Sequence, residues 1–123
     1  MNGSKNPKLM PWSARIFERI PPNDVGLYAF WSRANGKCVY VGKAADQPLR
    51  GRLQQHWNRS DNETLRLWIA AFGEDVDICF LSLPLHRIPK FERRLIRLWR
   101  PEANIHHNPN RRPRARRRVS EIP

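Results

Sequence analysis

One carboxylate in the sequence falls among apolar residues at helical spacing. Residues 90–100 form a predicted helix that opens at Pro89 and ends before Pro101. The i+3, i+4 and i+7 neighbours of Glu92 in this helix are all apolar, namely Leu95, Ile96 and Trp99. Burial of a carboxylate is unfavourable unless a cation or hydrogen-bond donors satisfy it. Glu92 is therefore predicted to need such a partner.

Two tyrosines lie on neighbouring strand-like segments. Residues 25–31 contain Tyr28, residues 38–42 contain Tyr40, and the connection between them includes Asn35-Gly36. An Asn-Gly pair between two such segments is the strongest short-range signal for a β-hairpin. The strands of a hairpin pair directly, so the two phenols can lie side by side on one face. A single tyrosine in an aromatic-rich strand is usually a packing residue, so neither of them alone indicates catalysis.

An arginine and a histidine follow the hairpin on one predicted helix. The helical period after Gly42 is set by three apolar residues: Leu49, Leu53 and Trp57. Arg52 and His56 are spaced i, i+4 and therefore share a helix face, one turn apart. Each residue alone is typical of a solvated helix surface. Their chemical interest comes from being combined with the tyrosines and Glu92 in one chain.

The elements that must position these side chains follow the order β-β-α-α-β-α. A second helix begins after Asn62 and ends at Gly73, and residues 76–83 return to strand character. Strands and helices alternate too weakly for a doubly wound parallel sheet. We therefore expect an α+β domain in which a small antiparallel sheet is flanked by helices.

Positive charge is the strongest feature of the composition. The chain holds 23 Lys and Arg against 11 Asp and Glu, for a net charge of +12, and residues 25–104 alone hold 13 basic and 8 acidic residues. A basic domain is typical of a protein that binds a polyanion, because neutralised phosphates release counterions. The arginines predicted to contact nucleic acid are Arg50, Arg93, Arg97, Arg111, Arg112, Arg114, Arg116, Arg117 and Arg118.

Other classes of protein are disfavoured. No apolar run approaches the roughly 20 residues of a membrane span, and no export segment is recognisable, so we expect an intracellular protein without a membrane partner. In a nucleated host the basic tail is equally suited to nuclear import. Cys38 and Cys79 lie within strand-like segments and are expected to be buried thiols rather than a disulfide. A zinc site with His86, His106 and His107 is disfavoured, because the chain lacks CxxC and HxxxH spacing.

The ordered set of motifs resembles the GIY-YIG nucleases. That family includes the incision domain of bacterial excision repair, homing and restriction endonucleases, and resolvases of branched DNA. The resemblance rests on Gly26-Leu27-Tyr28, Tyr40-Val41-Gly42-Lys43, Leu49-x-x-Arg52-x-x-x-His56, Glu92 with Leu95-Ile96, and Pro101-x-x-Asn104. Neither tripeptide is specific alone, whereas the ordered set is. The division that follows is an N-terminal arm (1–22), a nuclease domain (23–108) and a disordered Arg-rich tail (109–123).

The resemblance implies a three-stranded antiparallel sheet and an endonuclease that hydrolyses DNA with one divalent metal. Glu92 would hold the ion, Mg²⁺ or Mn²⁺, both of which suit a site with few protein carboxylates. DNA is the implied partner, with RNA as the alternative, and the implied settings are DNA repair or mobile elements. The residues expected to brace the site are Gly26, Gly42 and Asn104.

The resemblance also implies a role for each polar residue of the site. Tyr28 would activate or orient the attacking water, with help from Lys43 or His56, since a phenol is ordinarily a weak base at neutral pH. Tyr40 would position water or phosphate. Arg52 would neutralise charge on the transition state, which its forked donors suit.

Two alternatives stay open at this stage. The segment between Gly42 and Arg52 is longer than is usual in the family, and the common spacing selects Arg50 as the catalytic arginine. The helix face shared with His56 favours Arg52 instead. The function itself has a rival, which is a catalytically inactive nucleic-acid-binding module of the same fold. The source of specificity is likewise open among DNA shape, a homodimer and a partner protein.

Overall fold

The computed structural model describes residues 8–59 and 62–104. The predicted tail of residues 109–123 lies outside the described residues, together with its six arginines and with His106 and His107.

The described residues form four strands, three α-helices and three short 3₁₀ segments. The strands are β1 (Met10–Pro11), β2 (Gly26–Ser32), β3 (Cys38–Ala44) and β4 (Val76–Ser82). The helices are α1 (Leu49–Arg59), α2 (Glu63–Phe72) and α3 (Ile88–Trp99). The 3₁₀ segments are Ala14–Arg19, Gly73–Asp75 and Leu85–Arg87. From β2 onward this is the order expected from the sequence, and no helix of the described part is long and apolar enough to cross a bilayer.

The sheet is antiparallel throughout, in the order β1-β4-β2-β3. The predicted α+β class is therefore confirmed, whereas the expected count of three strands is wrong by one. The additional strand, β1, pairs Met10 with Ile78 and Pro11 with Asp77 at the far edge. Two residues that include a proline show no alternation that a sequence pattern could detect, and proline is tolerated at a sheet edge.

The segment just before β2 is packed into the domain. Trp12, Ile16 and Ile20 recur every four residues and are all buried in the same cluster as Tyr28. The Trp12 ring contacts Phe30 of β2, with centroids 4.8 Å apart. Residues 10–20, which the sequence analysis assigned to an N-terminal arm, thus contribute to the main core.

The conformation of the turn between β2 and β3 accounts for the presence of Asn35 and Gly36 in it. Gly36 has a φ of +70°, a conformation that side-chain-bearing residues rarely adopt. Asn35 accepts a hydrogen bond from the backbone N–H of Lys37 at 2.9 Å. The register then shifts between Phe30 and Trp31, which pair with Tyr40 and Cys38, so β3 carries one extra residue. The predicted hairpin is confirmed.

The sheet separates two buried clusters. Tyr28, Phe30 and Ile78 face α1, α2 and the Ala14–Arg19 segment. On the other face, Cys38 and Cys79 pack with Ile96 of α3. Both thiols are free and buried, as predicted, and burial raises the pKa of Cys79 to about 11. They are therefore unreactive packing residues at neutral pH.

Candidate active site

A buried tyrosine–histidine pair lies between the sheet and α1. The hydroxyl of Tyr28, on β2, is 2.7 Å from Nε2 of His56, on α1. The two residues are only 2% and 4% exposed. A polar pair that is so deeply buried must satisfy its own hydrogen bonds, and here each group does so through the other. The orientation of the Tyr28 phenol is therefore set by His56 together with Arg52 and Tyr40, which also interact with it.

The environment of Tyr28 keeps its phenol protonated. Burial raises the pKa of Tyr28 well above its ordinary value, and the neighbouring Tyr40 raises it further. The guanidinium of Arg52 lowers this pKa but does not overcome the effect of burial. Tyr28 is consequently neutral across the physiological range, so it cannot remove a proton as a free phenolate.

The second tyrosine completes a compact aromatic group. The Tyr40 ring centroid is 6.1 Å from that of Tyr28 and 5.8 Å from that of His56. Tyr28 pairs with Gly42 across the hairpin and Tyr40 with Phe30, so both phenols lie on one face of the sheet. Unlike Tyr28, Tyr40 is only half-buried. We refer to Tyr28, Tyr40, Arg52 and His56 as the tyrosine cluster.

Gly42 makes room for this cluster. A Cβ atom built on Gly42 would overlap the phenol ring and hydroxyl of Tyr28. Gly26, at the start of β2, has a similar restriction, because a Cβ there would overlap the carbonyl oxygen of Leu81. Both predicted bracing glycines are thus positions of close approach.

The two candidate arginines of α1 have different surroundings. Arg52 interacts electrostatically with Tyr28 and donates from Nη1 to Oε1 of Gln55 at 2.9 Å. Arg50 points elsewhere, since its guanidinium donates from Nε to the backbone carbonyl of Ile20 at 3.0 Å. Of the two arginines, Arg52 therefore lies beside Tyr28, and Arg50 does not.

Two glutamines that the sequence analysis missed support Arg52. The side-chain amide of Gln55 accepts from Arg52 and also donates to Oε1 of Gln47 at 3.1 Å. Gln47 lies just before α1 and holds Gln55 in place. The spacing of Gln55, three residues after Arg52, was the available signal, because i, i+3 side chains are neighbours on a helix.

Glu92 lies on the other face of the sheet, beside Lys43. Oε1 of Glu92 is 3.7 Å from Nζ of Lys43, and the two side chains are 18% and 52% exposed. Lys43 is opposite Leu27 in the register, so it points away from the face that carries Tyr28 and Tyr40. The half-buried carboxylate expected from the sequence is therefore present, with an ammonium group as its partner.

The predicted site is thus divided between two groups on either side of β3. Gly42 lies beneath the Tyr28 phenol, and the next residue, Lys43, contacts Glu92. β3 is one of the two edge strands of the sheet. Tyr40 in the first group is half-buried and Lys43 in the second is exposed, whereas Tyr28 and His56 are buried.

Asn104 closes part of the same edge. Its side-chain oxygen accepts from the N–H of Val41 at 2.8 Å, and its amide nitrogen donates to the C=O of Val41 at 2.7 Å. A carboxamide here replaces the hydrogen bonds of a further strand. Asn62, which the sequence analysis treated only as a helix start, donates to the carbonyl of Ala103 at 3.0 Å. The segment that carries Asn104 is therefore anchored to the first turn of α2.

The donor set around Glu92 suits a hard divalent cation. Among residues 8–59 and 62–104 there is no group of three or more His, Cys, Asp or Glu side chains that could hold a metal ion. A single carboxylate fits Mg²⁺, which retains most of its waters.

The outer face of α3 carries the basic residues that the sequence analysis linked to nucleic acid. Arg93 and Arg97 are exposed, and Arg94 and Lys90 lie near them on the same helix. The guanidinium of Arg94 lies 5.4 Å from the centroid of the Phe91 ring. The helix that contributes Glu92 to the site therefore also presents a cationic surface.

The sequence and the fold were compared with those of known proteins. No family model matches the sequence, and no curated protein matches it either. Among solved structures, the chain is similar to the GIY-YIG N-terminal endonuclease domain of UvrC from Thermotoga maritima, which was crystallised with its catalytic divalent cation, magnesium. The TM-score is 0.55 at 24% sequence identity, covering 76% of this chain and 99% of that domain. The protein has the fold of a GIY-YIG endonuclease domain.

Proposed function

We propose that this protein is a metal-dependent endonuclease that hydrolyses phosphodiester bonds of DNA at the outer edge of β3. The observation that carries the proposal is the half-buried carboxylate of Glu92, which lies 3.7 Å from the ammonium group of Lys43. Lys43 directly follows Gly42, the residue that lies against the Tyr28 phenol. The likeness in fold to a domain described as an endonuclease with a catalytic magnesium supports it. The positive charge of the domain supports a phosphate-rich substrate.

Glu92 would hold the divalent cation, Mg²⁺ or Mn²⁺, as its one protein carboxylate. When bound, such an ion supplies Lewis acidity at the scissile phosphate and stabilises charge on the leaving oxygen. Lys43 is more than half exposed, so it can move away from Glu92 and bind a phosphate oxygen instead.

Tyr28 and His56 would handle the proton of the attacking water. As the water oxygen attacks phosphorus, its proton passes to the hydroxyl oxygen of Tyr28, and the phenolic proton passes to Nε2 of His56. The 2.7 Å contact between Tyr28 and His56 is within the range needed for such a transfer. This relay avoids the phenolate that burial makes unfavourable, and it requires a neutral imidazole at the start.

Arg52 and Tyr40 would act on the phosphate itself. Arg52 would bring its positive charge to the negative charge that develops on the phosphate, and its planar fork matches two phosphate oxygens. Gln55 restricts the guanidinium before substrate arrives, which lowers the entropy lost on binding. Tyr40, as the more exposed phenol, is the one placed to donate a hydrogen bond to phosphate or water.

The test is a cleavage assay on supercoiled plasmid, single-stranded and branched DNA, with Mg²⁺ or Mn²⁺ and with EDTA. We expect cleavage that requires the metal and is abolished by Glu92→Gln, which retains the shape of the side chain and removes its charge. The control is Glu74→Gln, which makes the same change at an exposed position in the Gly73–Asp75 segment. Cleavage that survives both EDTA and Glu92→Gln would disprove the metal mechanism. Binding of all three substrates without any cleavage would instead support an inactive nucleic-acid-binding module.

A further inference from the structure

A pocket of about 520 Å³ lies at the hairpin end of the sheet, and none of the proposed catalytic residues lines it. Three of the five tryptophans in the chain converge on it, from β2, α2 and the end of α3: Trp31, Trp68 and Trp99. Lys37 and Arg100 add two cations to its wall, and Glu102 adds one carboxylate. We call it the tryptophan pocket.

We propose that the tryptophan pocket binds one unpaired nucleotide of a nucleic-acid strand. Its volume falls within the range of pockets that bind small ligands, and aromatic walls with a few polar groups are typical of such sites. Indole rings are the side chains on which nucleobases stack. Lys37 and Arg100 supply the charge that the nucleotide phosphate requires, so an anionic planar ligand matches the pocket better than a cationic one.

The position of the pocket relative to Glu92 determines how a strand would reach it. Helix α3 contacts the sheet near both of its ends: Glu92 lies beside Lys43 of β3, and Trp99 lies against Trp31 of β2, with ring centroids 4.8 Å apart. Seven residues of α3 separate Glu92 from Trp99, which corresponds to roughly 10 Å along the helix. At about 3.4 Å per base step, this is a distance of about three nucleotides.

This inference rests on the proposed function and defines its substrate class. The preferred substrate would contain an unpaired nucleotide, as in a bulge, a flap or a single strand, about three nucleotides from the scissile phosphate. A base in a regular duplex is stacked on its neighbours and cannot enter a pocket lined by indoles without leaving the stack. The basic residues 105–123 are a poorer occupant, because Lys37 and Arg100 repel their charge.

Binding is tested on the full chain carrying Glu92→Gln, so that cleavage does not interfere. The five indole N–H signals are followed by two-dimensional NMR while deoxyadenosine monophosphate and a short single-stranded oligonucleotide are added. We expect the signals of Trp31, Trp68 and Trp99 to shift with one common Kd, while those of Trp12 and Trp57 stay in place. Shifts spread equally over all five indoles, or confined to the other two, would overturn the proposal. The same would follow if a peptide of residues 105–123, and not the oligonucleotide, shifted the three signals.

Two variants separate the contributions of stacking and charge. Trp68→Leu and Lys37→Glu should each weaken monophosphate binding by about tenfold, the scale expected for loss of one stacked base or one charged contact. Lys8→Glu makes the same charge change at an exposed position just before β1, at the opposite edge of the sheet, and should leave the Kd nearly unaltered. Wild-type affinity in both pocket variants would rule the site out.

Cleavage provides a second, independent measurement. Wild-type protein should cut a duplex with one unpaired nucleotide about tenfold faster than the fully paired duplex, and Trp68→Leu should abolish that preference while leaving cleavage of the paired duplex unchanged. If the three indoles respond to oligonucleotide but no DNA is cut, the proposed function fails and the pocket stands. If DNA is cut while those indoles do not respond, only the pocket proposal fails.

Discussion

The hydroxyl of Tyr28 and Nε2 of His56 lie 2.7 Å apart, and the two residues are only 2% and 4% exposed. The two residues come from different elements, β2 and α1, and are separated by 28 positions in the chain. Burial keeps the phenol neutral by raising the pKa of Tyr28. Under the proposed function the pair acts as a hydrogen-bonded relay rather than as a free base, and several consequences of that role can be measured.

The first prediction is that Tyr28 and His56 act as one unit. Tyr28→Phe and His56→Gln should each lower the single-turnover cleavage rate by about 10²–10⁴-fold, the usual contribution of a positioned acid–base group. The double variant should be little slower than either single variant, because removal of one partner already breaks the relay. Independent effects that multiply in the double variant would contradict the relay. Thermal unfolding of each variant checks that the fold is retained.

The second prediction concerns pH. The relay uses Tyr28 in its neutral form, and burial raises the pKa of Tyr28 well above its ordinary value. The phenol therefore stays protonated from pH 7 to 9, and the contribution of Tyr28 to the cleavage rate should not change across that range. A wild-type rate that rises about tenfold per pH unit, with no such rise in Tyr28→Phe, would show that a phenolate is the base and would contradict the relay.

The third prediction separates the two arginines of α1. Arg52→Ala should lower the rate by about 10²–10³-fold with little effect on stability, as expected for loss of one group that stabilises transition-state charge. Arg50→Ala should leave the rate near that of the wild type and cost about 1–3 kcal/mol of unfolding free energy, because it removes the hydrogen bonds to the carbonyl of Ile20. Urea unfolding and cleavage kinetics, measured on both variants, would show a reversed pattern if Arg50 were the catalytic residue.

The fourth prediction concerns the close approach at Gly42. In Gly42→Ala the new methyl group overlaps the Tyr28 phenol, which must leave its position against His56. We expect a loss of more than tenfold in rate and about 1–3 kcal/mol in stability. Gly51→Ala is the matched control, because its nearest neighbour would be Oε1 of Gln47 at 3.7 Å, an ordinary contact. Alanine within α1 should stabilise the protein slightly. Equal behaviour of the two variants would refute the steric argument.

The fifth prediction concerns alkaline stability. Burial raises the pKa of Cys79 to about 11, so the folded state holds this proton more tightly than the unfolded chain, where a thiol ordinarily has a pKa near 8.5. The corresponding stability is fully present below about pH 8.5 and is lost as the pH rises through about 11, a change on the order of 3 kcal/mol. Unfolding free energies measured from pH 7 to 11 should decline less steeply in Cys79→Ala. A slope identical to that of the wild type would show that Cys79 does not titrate in this range.

Local features of this protein could be predicted from its sequence, because their causes lie within a few residues. Asn35-Gly36 predicts the hairpin, since glycine readily adopts the positive φ that Gly36 has in the turn between the two strands. The four-residue spacing of Arg52 and His56 predicts their shared helix face. The apolar neighbours of Glu92 predict a half-buried carboxylate, and the structure contains one. The ordered motifs predict the fold that the likeness to a solved GIY-YIG domain shows.

Only the tertiary structure decided which residues meet. The different surroundings of Arg50 and Arg52 depend on where Ile20 lies, and the four-residue spacing of Trp12, Ile16 and Ile20 does not indicate against which element that segment packs. The tryptophan pocket likewise combines residues from three elements that are distant in the chain.

Strand register decided on which face of the sheet the two tyrosines and Lys43, the partner of Glu92, lie. Side chains alternate between the two faces of a strand, so a shift of one residue would have exchanged Gly42 and Lys43. Register arises from long-range pairing and packing, which periodicity in the sequence does not encode. The sequence by itself determined the elements and the residues available for chemistry. The pairing of β3 with β2 determined that Tyr28 and Glu92 approach the same edge from opposite faces of the sheet.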